Sequence, residues 1–300
     1  MVGNKKMEKK ISSKINNILW TTDFSKESRF SLPYVKLFSE MLTTKNHALY
    51  VLPKFSDWIY ETAFFTDDEL FKTIAHTRQK SLQKITNFSR KSGIPFEAEV
   101  VEGTESEEII RCAREKKIDL IFVGRKGISE IENILIGSTT SRLIRNSDIP
   151  VMVIPKNRRT PKIKKILSPI DFSDLSLLEL RYSISLARQL GAALYVVHVS
   201  EFFNYKVPVF KRDKLIDKIN QKIMAIAAES DYEIENIFYE MGEPAQKIMA
   251  VAKKNKIDLT VMATHQRKGI EKFLGSISEK VVMYSDTPVL ILPPSDYVLS

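Results

Sequence analysis

The chain is written twice, and that duplication limits its possible folds more than any other feature. "NNILWTTDFS" returns as "KKILSPIDFS", setting Asp23 opposite Asp171, and "ALYVLP" returns as "ALYVVH". "EGTESEEIIRCAREKKIDLIFV" returns as "MGEPAQKIMAVAKKNKIDLTVM", and "IGSTTSRLIRNSDIPVMVIP" as "LGSISEKVVMYSDTPVLILP". The offset is 148 residues at the aspartates, 139 at the two "KIDL" runs and 138 at Gly137 and Gly275. A period that long, drifting by a few residues, marks a duplicated domain with small insertions; solenoid repeats are far shorter. The joint falls in "KNRRTPKIK", a polar, basic stretch interrupted by Pro161. The reading is a basic tail over 1–13, a first domain over 14–156, a linker over 157–162 and a second domain over 163–300.

Both copies share one grammar. A short apolar run ends at Asp23 or Asp171, and "DFSKES" or "DFSDLS" supplies Ser and Asp caps for a helix. Pro33 is acceptable there only near the start of its helix. Strand and helix then alternate, each copy closing on "PVMVIP" or "PVLILP". The strands are continuously apolar, which points to a parallel sheet covered on both faces. The expected fold is α/β: two tandem, five-stranded, doubly wound Rossmann-like domains. Ligands in such sheets bind beyond the carboxyl ends of the strands, where the strand order reverses. Asp23, Lys54 and Gly124 fall at such ends, as do Asp171, Val199 and Ala263.

Composition removes several function classes. With 43% apolar and 28% charged residues the chain reads as globular, and no run reaches the roughly 18–20 apolar residues of a membrane span. "MVGNKKMEKKISSK" is basic without a following apolar core, so it does not read as a secretory signal. The single cysteine, Cys112, lies in "EEIIRCAREKK" and reads as an inert helix residue in a reducing cytoplasm. The net charge of +9 comes from lysines scattered among acids, with no aromatic-basic motif, so nucleic acid is not the expected partner.

The dense glycines in "GRKGISEIENILIGS" need a reason. Gly124, two residues, Gly127, nine residues, then Gly137-Ser138 puts bare backbone at a strand end and at a helix start. Free amides at a helix N-terminus stabilise an anion, and Ser138, Thr139 and Thr140 add hydroxyls. The stretch reads as a phosphate cradle.

This constellation resembles the universal stress protein family, over nearly the whole chain from Lys14 to Pro294. In the family's ATP-binding members the glycine motif has the spacing seen at Gly124, Gly127, Gly137 and Ser138. The family's nucleotide-contacting aspartate falls on Asp23 and Asp171, and "DFS" and the closing apolar strands are typical of it. The resemblance implies ATP, alone or with Mg2+, bound by Thr22, Asp23, Val123, Gly124, Gly127, Gly137, Ser138, Thr139 and Thr140. A secondary set in the second copy is Asp171, Val199, Gly275, Ser276 and Ser278. It also implies pairing of the two copies through their last strands as an intramolecular pseudo-dimer, near Val151–Ile154 and Val289–Leu292.

The copies depart from the pattern differently. Copy one has Lys54 where the family sets an apolar residue against adenine. Copy two keeps Val199 there, but Ala263 and Gln266 replace the two glycines and the spacer is one residue short. Copy two is therefore expected to have relaxed its phosphate requirement. No Walker-type run, nucleotidyltransferase signature, Ser-His-Asp arrangement or paired-carboxylate site stands out, so the chain is not expected to be an enzyme, slow ATP hydrolysis aside. His198 and His265 both fall near strand ends of copy two, and His265 with Asp171 is too few ligands for a metal site. Two functions remain: a stress-response regulator that binds an adenine nucleotide in its first domain, and a nucleotide-independent scaffold acting through protein contacts.

Overall fold

The structure is a computed structural model of the 300-residue chain and describes residues 9–11, 14–54, 67–126, 136–156, 161–200, 209–263, 276–293 and 297–299. Its contacts form two compact units. One comprises Ile15–Leu143 and Val151–Pro161. The other comprises Met1–Lys14, Ile144–Pro150 and Lys162–Ser300.

A short strand β1 (Lys9–Ile11) belongs to the C-terminal unit. The N-terminal unit is built from β2 (Asn17–Thr21), β3 (Lys45–Leu52), β4 (Phe96–Glu102), β5 (Leu120–Gly124) and β6 (Val151–Ile154). Their order is β4-β3-β2-β5-β6, every pairing parallel. In the C-terminal unit β7 (Lys165–Ile170), β8 (Ala193–Ser200), β9 (Asn236–Met241), β10 (Leu259–Ala263) and β11 (Val289–Leu292) repeat the order as β9-β8-β7-β10-β11. The order reverses between β2 and β5, and again between β7 and β10. β12 (Tyr297–Leu299) lies outside that sheet and pairs in parallel with β1. The basic segment expected as a tail over 1–13 therefore holds a strand.

Central strands carry apolar residues on both faces, because helices cover both faces. Ile18, Leu19, Trp20, Leu120, Ile121 and Phe122 are all fully buried, as are Ile166, Leu167, Leu259 and Val261. The repeated "KIDL" has a backbone purpose. Asp119 Oδ2 accepts from the Asn16 and Asn17 amides at 2.8 and 2.9 Å. Asp258 Oδ2 accepts from those of Lys164 and Lys165 at 2.9 and 3.1 Å. Asp119 thereby anchors the start of β2, and Asp258 that of β7.

The helices are α1 (Leu32–Leu42), α2 (Asp67–Ser92), α3 (Glu105–Glu115), α4 (Ser138–Asn146), α5 (Asp174–Leu190), α6 (Val209–Glu229), α7 (Pro244–Lys254) and α8 (Ser276–Tyr284). The first helices of the two units differ through one residue. Ser173 Oγ accepts from the Ser176 amide at 3.2 Å, so α5 starts immediately after "DFS" and stops at Gly191, φ 56°. In the first unit Pro33 must occupy a first-turn position. α1 therefore starts at Leu32, and the residues before it form a 3-10 turn over Ser28–Ser31.

Candidate functional site

Each unit brings its strand ends to one concavity at the switch in strand order. In the N-terminal unit, β2 ends at Thr21 and a tight turn follows. Thr22 Oγ1 accepts from the Phe24 amide at 3.0 Å, and Asp23 Oδ1 from the Ser25 amide at 2.9 Å. Phe24 is left-handed, with φ 64°, and the equivalent Phe172 has φ 65°. That conformation costs a bulky residue about 1–2 kcal/mol. Ring contacts offset it. Phe24 packs on Tyr50 at 4.6 Å under Lys84 at 4.8 Å, and Phe172 on His198 at 5.1 Å under Lys222 at 5.8 Å. In both units a lysine of the long helix covers the phenylalanine of "DFS".

At the far wall, β5 delivers Val123 and Gly124. The loop leaving it is closed where the Gly137 amide donates to Arg125 O at 2.8 Å. Thr140 Oγ1, buried in the first turn of α4, donates to Gly124 O at 2.8 Å. The helix start is thereby tied to the strand end, with its free amides facing the same space and no acid in its first turn. Gly124 is bare for a reason within its own fold: a Cβ there would lie 2.9 Å from Glu27 O and 3.0 Å from Ser28 Cα. The 3-10 turn that Pro33 imposes leaves no room for one.

The resulting cleft has a volume of about 270 Å³. Of the residues expected from the sequence, Thr22, Asp23, Val123, Gly124, Gly137, Ser138, Thr139 and Thr140 all line it, and Gly127 lies outside the described residues. The structure adds Tyr50, Pro53, Glu105 and Lys126. Burial, then the nearby Asp23 and Glu105 charges, raise the Tyr50 phenol above its ordinary range. Pro53, just past the end of β3, lines the cleft, and Lys54 beside it is exposed.

The C-terminal unit has a larger cavity, about 450 Å³, at the same place. Asp171, Val199 and Ser278 line it. Ser276 opens α8, while Gly275, His265 and Gln266 lie outside the described residues. Ser278 Oγ donates to Ala263 O at 3.4 Å, a longer version of the Thr140–Gly124 tie. Glu179 was not anticipated. Its Oε1 accepts from Ser168 Oγ at 3.2 Å and its Oε2 from the Ala263 amide at 2.8 Å, and burial pushes its carboxyl well above the ordinary glutamate range. A glutamate within the helix run "SLLELRYSI" is the available signal, since a charge there needs a partner.

Two parallel α/β units of identical strand order, each with a cleft at its switch point, define the class. The chain's matches define the family. The model of the Universal stress protein family matches residues 14–155 and 162–293, and the chain belongs to that family. Universal stress protein MJ0531 of Methanocaldococcus jannaschii is 35% identical over 141 residues, 43% of this chain and 81% of the relative. Universal stress protein YxiE of Bacillus subtilis is 32% identical over 145 residues, 43% of this chain and 97% of the relative. The crystal structure of a universal stress protein from Archaeoglobus fulgidus aligns with a TM-score of 0.73 at 21% identity, covering 93% of this chain and 99% of that one, and so shares the fold. No helix among the described residues is long and apolar enough to cross a membrane.

Proposed function

We propose that this universal stress protein is a stress-response regulator whose N-terminal repeat binds an adenine nucleotide, with ATP as the favoured ligand. The observation that carries the reading is the convergence of the Thr22–Asp23 turn, the Val123–Gly124 strand end and the Gly137–Thr140 helix start on one cleft. The polar groups there suit a phosphorylated ligand. The first turn of α4 offers amides and the Ser138 and Thr139 hydroxyls, and Lys126 lies beside them. Asp23 stands at the opposite wall, suited to hydroxyl donors such as those of a ribose, and Tyr50 and Pro53 give an apolar side to a base. We read the role as binding: among the described residues the lining offers phosphate-directed amides and hydroxyls, and no histidine. A cytoplasmic setting fits a chain whose only cysteine is buried and reduced.

A second reading, a scaffold independent of nucleotide, draws on Asp23 and Glu105, two carboxylates on the cleft wall that repel phosphate. Titration calorimetry of the full chain with ATP separates the two, together with mass spectrometry of any small molecule released on denaturing the purified protein. The nucleotide reading expects binding that Gly127→Leu abolishes with little change in melting temperature. Unaltered affinity in that variant, or no binding by the native chain, would sink it.

A further inference from the structure

Positive charge is concentrated on one helix. From Phe71 to Ser92, α2 carries six lysines and arginines and no acid, while its own acids, Asp67, Asp68 and Glu69, all fall in the first turn. That run holds +6 of a chain whose net charge is +9. Arg78, Lys80, Lys84, Arg90 and Lys91 are exposed, and none of them makes an ion pair among the described residues. Elsewhere cations are paired: Arg111 with Glu108 and Glu115 at 2.6 and 2.8 Å, Lys116 with Glu99 at 3.0 Å, and Lys247 with Glu240 at 3.2 Å.

The elements packed on α2 do not supply the missing acids. Trp20 meets Phe88 of α2 at 5.8 Å and Phe96 of β4 at 5.4 Å, so the even-numbered residues of β4 face this helix. Glu97 and Glu99 therefore lie on the opposite face, and of the acids in β4 only Glu102, at the far end of the strand, shares the side of α2. Glu40 of α1 is held by Lys36 at 3.8 Å. The turn before α1 adds a further cation, Arg29, which lies over the Phe88 ring at 5.8 Å. Glu69 is eleven residues from Lys80 (80 − 69), about 16 Å along the helix and twice the roughly 8 Å over which salt screens a charge. The helix dipole ends in about half a negative charge, which Arg90 and Lys91 already exceed. Spacings of four and seven residues set Lys80, Lys84 and Lys91 on one line along the helix. The fold does not require this surface. In the second repeat α6 keeps Lys218 and Lys222 at the positions of Lys80 and Lys84, but Asp217 and Glu229 stand among them, and Glu229 pairs with Arg181.

We propose that this face of α2 is a docking surface for an acidic protein segment, an extended stretch with carboxylates at alternate residues. Alternate side chains of an extended chain stand about 7 Å apart on one side. That spacing is close to the step of about 6 Å from Lys80 to Lys84. A lipid surface is disfavoured because the apolar side of α2 is covered by the sheet, with Ile85 fully buried and Phe88 against Trp20. A nucleic acid is disfavoured because, among the described residues, no exposed aromatic ring stands between these cations to stack a base. The proposal does not rest on the nucleotide reading of the N-terminal cleft.

The test uses the full chain and fluorescence anisotropy at about 150 mM salt. The probes are a labelled peptide of alternating Glu and Thr and its Gln-Thr counterpart. The expected result is saturable binding of the Glu peptide, tighter than the Gln peptide by about tenfold or more. Lys80→Glu with Lys91→Glu should remove most of that preference. Lys218→Glu with Lys254→Glu makes the same change in net charge on the second repeat and should alter it by less than about twofold. Should the α2 reversals fail to fold, Lys80→Gln with Lys91→Gln carries the test and should lower the preference about threefold. Equal binding of the two peptides, no binding of either, or equal losses from the two pairs of reversals would each overturn the proposal. So would tighter binding of a DNA duplex or of phosphatidylserine vesicles than of the Glu peptide.

Discussion

Trp20 Nε1 donates to Ser31 Oγ at 2.9 Å, a strand residue bonded to a helix-start residue inside the core. At the equivalent positions of the second repeat Ser168 Oγ donates to Glu179 Oε1. A large donor facing a small acceptor has become a small donor facing a long acceptor, so volume and hydrogen bond are conserved together while both residues change. Trp20→Phe removes the donor to Ser31 Oγ, which keeps its own bond to Ser28 O, and leaves a gap beside it, costing roughly 1–3 kcal/mol. Chemical denaturation checks this; a loss below about 0.5 kcal/mol would show the pair to be dispensable.

The same site makes stability depend on pH. Burial holds the Glu179 carboxyl above its ordinary value near 4.5, so the folded state keeps a proton that the unfolded chain gives up. Its contribution is fully present below about 4.5, and it is lost as pH rises toward the raised folded value. Glu179→Gln cannot ionise. The native chain should therefore lose stability relative to that variant as pH is raised from 4.5 through neutrality. Melting curves at pH 4, 6 and 8 measure the difference, and a gap independent of pH would contradict it.

Gly124 offers a separation of folding from binding. A methyl at 124 meets backbone atoms of Glu27 and Ser28, which cannot swing aside as a flexible side chain would. Gly124→Ala should cost about 1–3 kcal/mol whether or not nucleotide is present. The chain already carries the control: Ala263 stands at the equivalent place, where α5 begins at Asp174 and no 3-10 turn precedes it. A double variant Gly124→Ala, Pro33→Arg, which brings the first repeat closer to the second, should recover part of the loss in a denaturation series. Failure to recover any would mean that the turn is fixed by something other than Pro33.

Cys112 should be silent in the folded protein. It is 1% exposed, and burial, followed by the Glu99 carboxylate, pushes its thiol up to about 11. Reaction with a disulfide reagent at pH 8 should be slow in buffer and complete at once in denaturant. Rapid labelling of the native chain would overturn this.

Much of this was legible in the letters. Duplication and alternation gave the two parallel sheets, and the spacing from Gly124 to Ser138 marked residues that fold to one cleft. What escaped has a common cause: it depends on partners far apart in sequence. Nothing in "SLLELRYSI" says that Glu179 will reach Ser168 and Ala263. Nothing in the glycine spacing says that Gly124 answers to Ser28. The left-handed Phe24 and Phe172 were hidden for another reason, since a phenylalanine is the last residue from which local propensity would predict positive φ. They hold that shape through Tyr50, Lys84, His198 and Lys222, from other elements.

The pairing of β1 with β12 also sets an order in time. Residues 9–11 leave the ribosome well before their partner at 297–299, which follows 286 residues later (297 − 11). At roughly 5–20 residues per second that interval is about 15 s to 1 min, long enough for an N-terminal α/β unit to fold alone. Through that interval Lys9–Ile11 has no strand to join. A chain released early would keep that edge open, while one carried past residue 299 closes it, so the smallest sheet in the molecule records whether translation reached it.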